Sequence, residues 1–459
     1  MAALIVIPIV LAFFSPLLLI CLTLGTGVLP VTLGSDGMMN TDFGRLDIYS
    51  IRVLGLWLAS VLLIVPSFSR LMEYGGRFRW HVAFLFFTVL AIVWSPSLVY
   101  GTRMVAKLTA PFLFLLLIMV TVSSWEAMRS IERAIFFSGI IALVASLGAL
   151  AIGITTVSPL AGLGIPGLGP AGTSAHLAIL TVLALAAAIT RRGRFSYLVM
   201  ALCCGAAVIA GFTRITIAGL FVGTGVVLWL SMRSWLRWLM PFAGVASVPA
   251  LFLFSETFRR RMFKSEDGIS IDMLGNDPSG LLDQIHGSGR FDQWAYVIKT
   301  FFEPHPLFGS GVGTTQQYFY THRLGLNVIH SEYVRLLAEV GLVGVTLLLF
   351  AVVVYAIRLT RIYRVARTNE TRTYALAGLG TLVVYIIFMA TDNAIDYVTS
   401  AGIYVFGLIA MSERARQLEL EQLQEDDSLS VPDAGVTPST DFSPSHRRYP
   451  IVAGGYQRG

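Results

Sequence analysis

The chain has 459 residues, of which 55% are hydrophobic and only 13% charged, and its mean hydropathy is +0.73. These values exclude an ordinary soluble domain. The formal charge is +6 and the sequence pI about 9.3, but the basic excess is mostly arginine beside apolar runs, so membrane topology accounts for it and no nucleic-acid partner is implied.

In chain order, apolar segments fall at about 3–24, 53–68, 81–95, 108–123, 134–153, 175–190, 195–212, 214–231, 235–254, 336–357, 373–390 and 397–411. Backbone polar groups must pair internally in lipid, so such segments are expected as helices. The tilted, alternating strands of a β-barrel have no counterpart here. The expected fold is all-α, a polytopic transmembrane helical bundle of about 12 spans. The first run lacks the basic start and small-residue cleavage site of a signal peptide, so it is expected to stay attached.

Four regions follow from this pattern: spans 1–9 over residues 1–254, a long polar loop over 255–335, spans 10–12 over 336–411, and a tail over 412–459. The tail begins with a charged, helix-prone run, Glu413 to Asp427, expected as a solvated helix. It then turns rich in Ser, Pro, Gly and Thr, the composition of a largely disordered segment.

Alternate connectors differ in positive charge. One set carries Arg70, Arg77, Arg79, Arg129, Arg133, Arg191, Arg192, Arg194, Arg233, Arg237, Arg358, Arg361, Arg364, Arg367 and Arg372. The other short connectors hold only Arg45, Arg52, Arg103, Lys107 and Arg214. Cytoplasmic loops retain Lys and Arg, so both termini are expected in the cytoplasm and the long loop outside. Cys21, Cys203 and Cys204 all fall inside expected spans, which implies neither a disulfide framework nor a cysteine metal site.

The long loop is where water-phase chemistry is possible. Phe291, Trp294, Ala295, Ile298, Phe301 and Phe302 recur at helical spacing and predict an amphipathic helix lying on the membrane face. Arg290 would stand in its first turn, where a cation is poorly placed unless an anion binds there. Snorkelling, or a pair with Asp292, would explain it equally well. Residues 304–313, Pro-His-Pro-Leu-Phe-Gly-Ser-Gly-Val-Gly, predict a rigid turn and a bend whose backbone approaches a neighbour closely. No Walker pattern follows, and His305 between two prolines reads as structural.

His330 stands just before the tenth span. Imidazole is suited to take a hydroxyl proton near neutral pH when held against the acceptor. Arg214 sits in an almost loopless connection between two apolar segments, where a guanidinium is costly unless paired. A diphosphate is one natural counter-ion, and Glu332 or Glu339 is the alternative. Glu266, Asp267, Asp272, Asp277, Asp283 and His286 cluster in sequence, but their spacing matches no EF-hand and suits an ordinary solvated loop, so no metal is expected.

Taken together, these residues resemble the bacterial O-antigen ligase and polymerase family of membrane glycosyltransferases. The resemblance is carried by Thr213-Arg214, by Arg290 and Trp294 ahead of His305-Pro306-Leu307 with Gly309, Gly311 and Gly313, and by His330-Ser331-Glu332-Tyr333 followed by Glu339 and Gly341. Trp94-Ser95-Pro96 and the stretch from Gly172 to His176 are weaker landmarks. Relatives often carry Asn after the His, where this chain has Ser331, and Asn near the position of His176.

The resemblance implies transfer of a glycan from an undecaprenyl-diphosphate carrier to a hydroxyl of lipid A core or of a growing polysaccharide, at the outer face of the bacterial inner membrane. Neither cofactor nor metal takes part in the reaction it implies. Arg214 and Arg290 would bind the diphosphate, with Arg323 a third contact, and His330 would handle the acceptor hydroxyl. Trp294 and Tyr333 are the expected substrate contacts, and other polysaccharide export components are expected partners. A transporter or flippase of lipid-linked sugars is the rival reading. It would place ionisable groups near the bilayer midplane rather than at helix ends.

Overall fold

The computed structural model describes residues 2–27, 39–41, 44–46, 48–151, 169–191, 195–210, 213–232, 290–322 and 329–429. The chain divides into two compact units, Met1–Glu419 and Leu420–Gly459. Of the second, the described part is the end of one helix, to Leu429.

Among the described residues, the first unit is helical apart from one small hairpin, β1 (Met39–Thr41) and β2 (Gly44–Leu46), paired antiparallel with Asn40 opposite Arg45. The apolar run at 3–24 does not form one continuous helix. It breaks into α1 (Ala2–Phe14) and α2 (Pro16–Thr26), because Pro16 has no N–H to continue the ladder. Ser15 restarts it as an N-cap, its hydroxyl accepting from Leu18 N at 3.4 Å. α1 packs on α3 (Ile48–Ile64) and α2 on α6 (Trp125–Ala151).

α4 (Phe68–Leu90), α5 (Leu98–Thr121), α7 (Gly169–Thr190), α8 (Phe195–Ala210) and α9 (Arg214–Ser231) complete the first half. The second half holds α10 (Arg290–Val297), continued by a π-turn over Ile298–Phe302, then α11 (Thr314–His322), α12 (Glu332–Val365), α13 (Asn369–Thr391) and α14 (Ile403–Leu429). Among the described residues, five helices are long and apolar enough to cross a membrane: Leu98–Thr121, Gly172–Thr190, Arg214–Ser231, Glu332–Val365 and Asn369–Thr391. Pro16–Thr26, Val53–Ser67 and Phe195–Ile209 are shorter apolar helices. The third and fifth expected segments overlap the second halves of α4 and α6 and run past their ends, while the first halves carry Arg77, Arg79, Arg129 and Glu132. The expected span 235–254 and the loop over 255–289 lie outside the described residues, as does the tail beyond 429.

α13 is the centre of the packing, in contact with α7, α9 and α12. Small residues permit this closeness: a Cβ added at Gly223 would lie 2.9 Å from the Gly380 carbonyl oxygen. The final helix does not end in solvent at 411. Its residues Ser412, Glu413, Ala415, Leu418 and Glu419 are buried. Glu413 takes Arg358 through two bonds of 2.7 Å, and Glu419 Oε1 accepts the N–H groups of Arg367 and Thr368. The run read as a solvated helix is therefore helical but half-buried, since its acids serve cations and free N–H groups on α12 and ahead of α13.

Candidate active site

Residues 304–313 are built onto α12. Gly341 lies inside that helix at φ 64°, ψ −168°, a conformation open to glycine, and it breaks the helical ladder for one turn. The loop supplies what the break frees. Ser310 N and Gly311 N donate to the carbonyls of Ala338 and Glu339 at 2.8 and 3.0 Å, and Leu342 N and Val343 N donate to Pro306 and Leu307 at 2.9 and 3.1 Å. A Cβ on Gly309 would strike the Glu339 backbone, and one on Gly341 would strike the Leu307 carbonyl. Gly311 and Gly313 press similarly on Ser95 and Tyr100, and Ser95 Oγ donates to Val312 O at 2.7 Å. The glycines thus serve backbone-to-backbone approach to α12 and to the start of α5. A cavity of about 700 Å³ beside this loop is lined by Phe87, Leu90, Trp94, Leu307 and Phe308 among others; neither Arg290 nor His330 lines it.

α10 is amphipathic, and the face it buries in protein coincides only in part with the apolar stripe expected on the membrane face. Gln293, Val297 and Phe301 are buried, while Phe291 and Tyr296 are exposed. Val297 and Phe301 form a small core with Phe319 of α11, Ile329 and Ala338, against which Trp294 packs half-buried. The buried side follows the protein surface offered by α11 and α12 and splits the expected stripe: Phe301 is buried, Trp294, Ile298 and Phe302 are half-buried, and Phe291 and Ala295 are exposed.

Arg290, the first residue of α10, donates from Nη1 to the Thr391 carbonyl at the end of α13, at 2.7 Å. His330 approaches the next residue: its Nδ1 lies 4.0 Å from Asp392 Oδ1. Arg290 and His330, distant in sequence, therefore meet at the C-terminal end of α13. Arg290 Nε, Trp294 Nε1, His330 Nδ1 and Asn393 Oδ1 are buried there without a hydrogen-bond partner among the described residues. Tyr333 spends its hydroxyl on the Ile386 carbonyl at 2.9 Å, tying α12 to α13.

Arg214 is the exposed first residue of α9, next to Thr213, whose hydroxyl lies 3.4 Å from that of Ser174. α9 runs antiparallel to α13, with Gly219 against Val384 and Gly223 against Gly380. At about 1.5 Å per residue, Arg214 and Thr391 both lie roughly 7–11 Å beyond the Gly219 contact, on the same side. The two carboxylates considered as its alternative partners are engaged by Arg335, at 3.3 Å for Glu332 and 3.9 Å for Glu339. Arg323 and the acidic cluster from Glu266 to His286 lie outside the described residues. His176 is fully buried, its ring nitrogens 3.2 Å from Ser138 Oγ and 3.2 Å from Ser400 O, a cross-brace between α7, α6 and the turn before α14.

Sequence reasoning missed the charged layer beneath these residues. Arg335 also contacts Asp396 Oδ2 at 3.3 Å, and Lys107 of α5 contacts Asp396 Oδ1 at 2.6 Å. Thr315 of α11 donates to Glu339. Burial alone would raise the Asp396 carboxyl, but Lys107 and Arg335 beside it hold it down at about 2. The available signal was Asp392 and Asp396 in one short polar connection between two apolar runs, together with Lys107 inside an apolar helix.

Residues 198–350 match the O-antigen ligase family, a stretch that contains Arg214, Arg290 and His330. No curated protein matches the chain.

Proposed function

With an O-antigen ligase domain over residues 198–350 as its premise, we propose that this membrane protein transfers a glycan from an undecaprenyl-diphosphate carrier to an acceptor hydroxyl in surface polysaccharide assembly. The observation that carries the reading is the meeting of Arg290 and His330 at Thr391 and Asp392, with buried polar atoms of both left unpartnered. A guanidinium with a free N–H suits phosphate oxygens. An imidazole beside a carboxylate suits the hydroxyl proton.

In this reading the diphosphate lies against Arg290 and Arg214, with Arg323 as a further contact, and Trp294 and Tyr333 flank the sugar. The acceptor oxygen attacks the anomeric carbon from the face opposite the diphosphate. Its proton passes to His330, the new glycosidic bond forms, and the old carbon–oxygen bond breaks with its electron pair left on the diphosphate. Arg290 and Arg214 stabilise that charge as it develops. The configuration inverts, and neither metal nor nucleotide sugar takes part. Lipid A core is the acceptor of a ligase and another growing glycan that of a polymerase, in either case outside the bacterial inner membrane, with both termini in the cytoplasm.

The test is the lipid-linked sugar pool of a strain lacking the protein. Full-length polymer stranded on the carrier identifies a ligase, and single repeat units with long polymer missing identify a polymerase. An unchanged pool and unchanged surface glycan would sink both. Glycan accumulating only on the cytoplasmic leaflet would favour a flippase.

A further inference from the structure

We propose that Glu332 is a positioning residue that sets the distance between His330 and Asp392. This rests on the reading of His330 as the group that takes the acceptor's proton. Glu332 lies two residues after His330 and opens α12. It is fully buried, and both carboxylate oxygens are used: Oε1 accepts the Ile395 N–H at 3.0 Å, and Oε2 faces Arg335 Nη1 at 3.3 Å.

Ile395 belongs to the short segment, residues 391–396, that carries Asp392. That segment is pinned at one end by Arg290 on the Thr391 carbonyl, and at the other by Lys107 and Arg335 on Asp396. Within it, Asp392 Oδ1 accepts the Asn393 N–H at 2.8 Å, which fixes the carboxylate's direction. Glu332 thus comes from the helix entrance that holds His330 and grips the segment that holds Asp392. Asp392, just after α13, faces the imidazole at 4.0 Å, and the charged groups bonded to its segment or to one another are Glu332 and Arg335 from α12, Asp396 with Lys107 of α5, and Arg290 of α10. Of these, Glu332 alone belongs to the His330 stretch and bonds directly to the backbone of the Asp392 segment. Out of water such bonds are stiff, and a displacement near 1 Å at a reacting group costs on the order of 100-fold in rate.

The experiment uses the full-length protein in lipid nanodiscs, with membranes from a strain lacking it as the source of donor and acceptor. Glycan transferred per folded molecule is measured across pH for E332Q, D392N and the double variant. Gln keeps the shape and an acceptor for Ile395 N–H while replacing the carboxyl oxygen that faces Arg335. The expected result is a fall on the order of 10- to 100-fold for E332Q, a displaced acid limb of the pH–rate profile, and a double variant no worse than D392N alone. Multiplying effects with an unmoved limb would overturn the proposal and leave Glu332 a structural residue. Should E332Q fail to accumulate, E332D, which retains charge and shortens the side chain, supports the same cycle. Turnover by H330A would defeat the underlying reading of His330, whereas an inactive H330A with multiplying Glu332 and Asp392 effects defeats only the positioning role.

Discussion

Two buried charged clusters lie at opposite ends of the α7–α13 helix pair, and they are built to different rules. Beside the C-terminus of α7, Glu132 receives Arg191 through bonds of 2.6 and 2.9 Å, with Tyr374 and Tyr197 completing its oxygens at 2.6 and 3.3 Å. Beside the C-terminus of α13, three acids, Glu332, Glu339 and Asp396, share Arg335 and Lys107. There Glu339 Oε2, Arg290 Nε and His330 Nδ1 stay unbonded among the described residues. Arg191 Nε in the first cluster is likewise unbonded among the described residues, so the contrast lies in the acids: both oxygens of Glu132 are taken, whereas one oxygen of Glu339 is not. At the α13 end an unused carboxylate oxygen and an imidazole nitrogen are available to another molecule, at a cost in stability.

Substitutions at the α13 end should have the largest effects on transfer. Arg290→Ala and His330→Ala should each lower glycan transfer by about 100-fold or more while leaving protein abundance near normal, measured by surface-glycan gels against immunoblots. Normal polymer from a stably expressed His330→Ala protein would end its proposed role. At the other end the signs reverse. Glu132→Ala strands a buried guanidinium and should destabilise the protein by about 3–5 kcal/mol, seen as a lower thermal midpoint in detergent with turnover per folded molecule unchanged. Gly341→Ala should cost about 1–3 kcal/mol from backbone strain, with the added Cβ against the Leu307 carbonyl, and abundance reports it.

The smallest effect concerns acid. The Asp396 carboxyl is held down at about 2, below the ordinary value near 4. A depressed carboxylate contributes stability that is fully present above its unfolded value and is lost as pH falls through the folded one. The Lys107–Asp396 pair should therefore add no slope of its own to the thermal midpoint across neutral and mildly acidic pH. Lys107→Met should introduce a slope there, since the partner that depresses Asp396 most is gone.

Much of the helical framework was legible because apolar length is a local property. The break between α1 and α2 was legible too, in Pro16, but the length of the run concealed it. Arg290 and His330 stood out because each is a titratable group at a helix entrance. The charged layer did not: Lys107, Arg335 and Asp396 are unremarkable apart, and their partnership depends on how α5, α12 and the end of α13 stack. The side of α10 buried in protein was illegible for a similar reason. Period alone shows that a helix has an apolar face, whereas the neighbours α11 and α12 decide which residues fill it. Glycines 309, 311 and 313 were visible as a bend, yet the surface they approach is the backbone of α12 and α5.

The break at Gly341 also bears on how such proteins can be recombined. The four bonds that stitch residues 306–311 to residues 338–343 make the turn and the helix one piece. Neither half is a portable module. A chimera that imports the turn from a relative must import the matching helical turn with it, and grafts that respect expected span boundaries, with a seam near residue 336, would divide that piece and strand its backbone donors and acceptors.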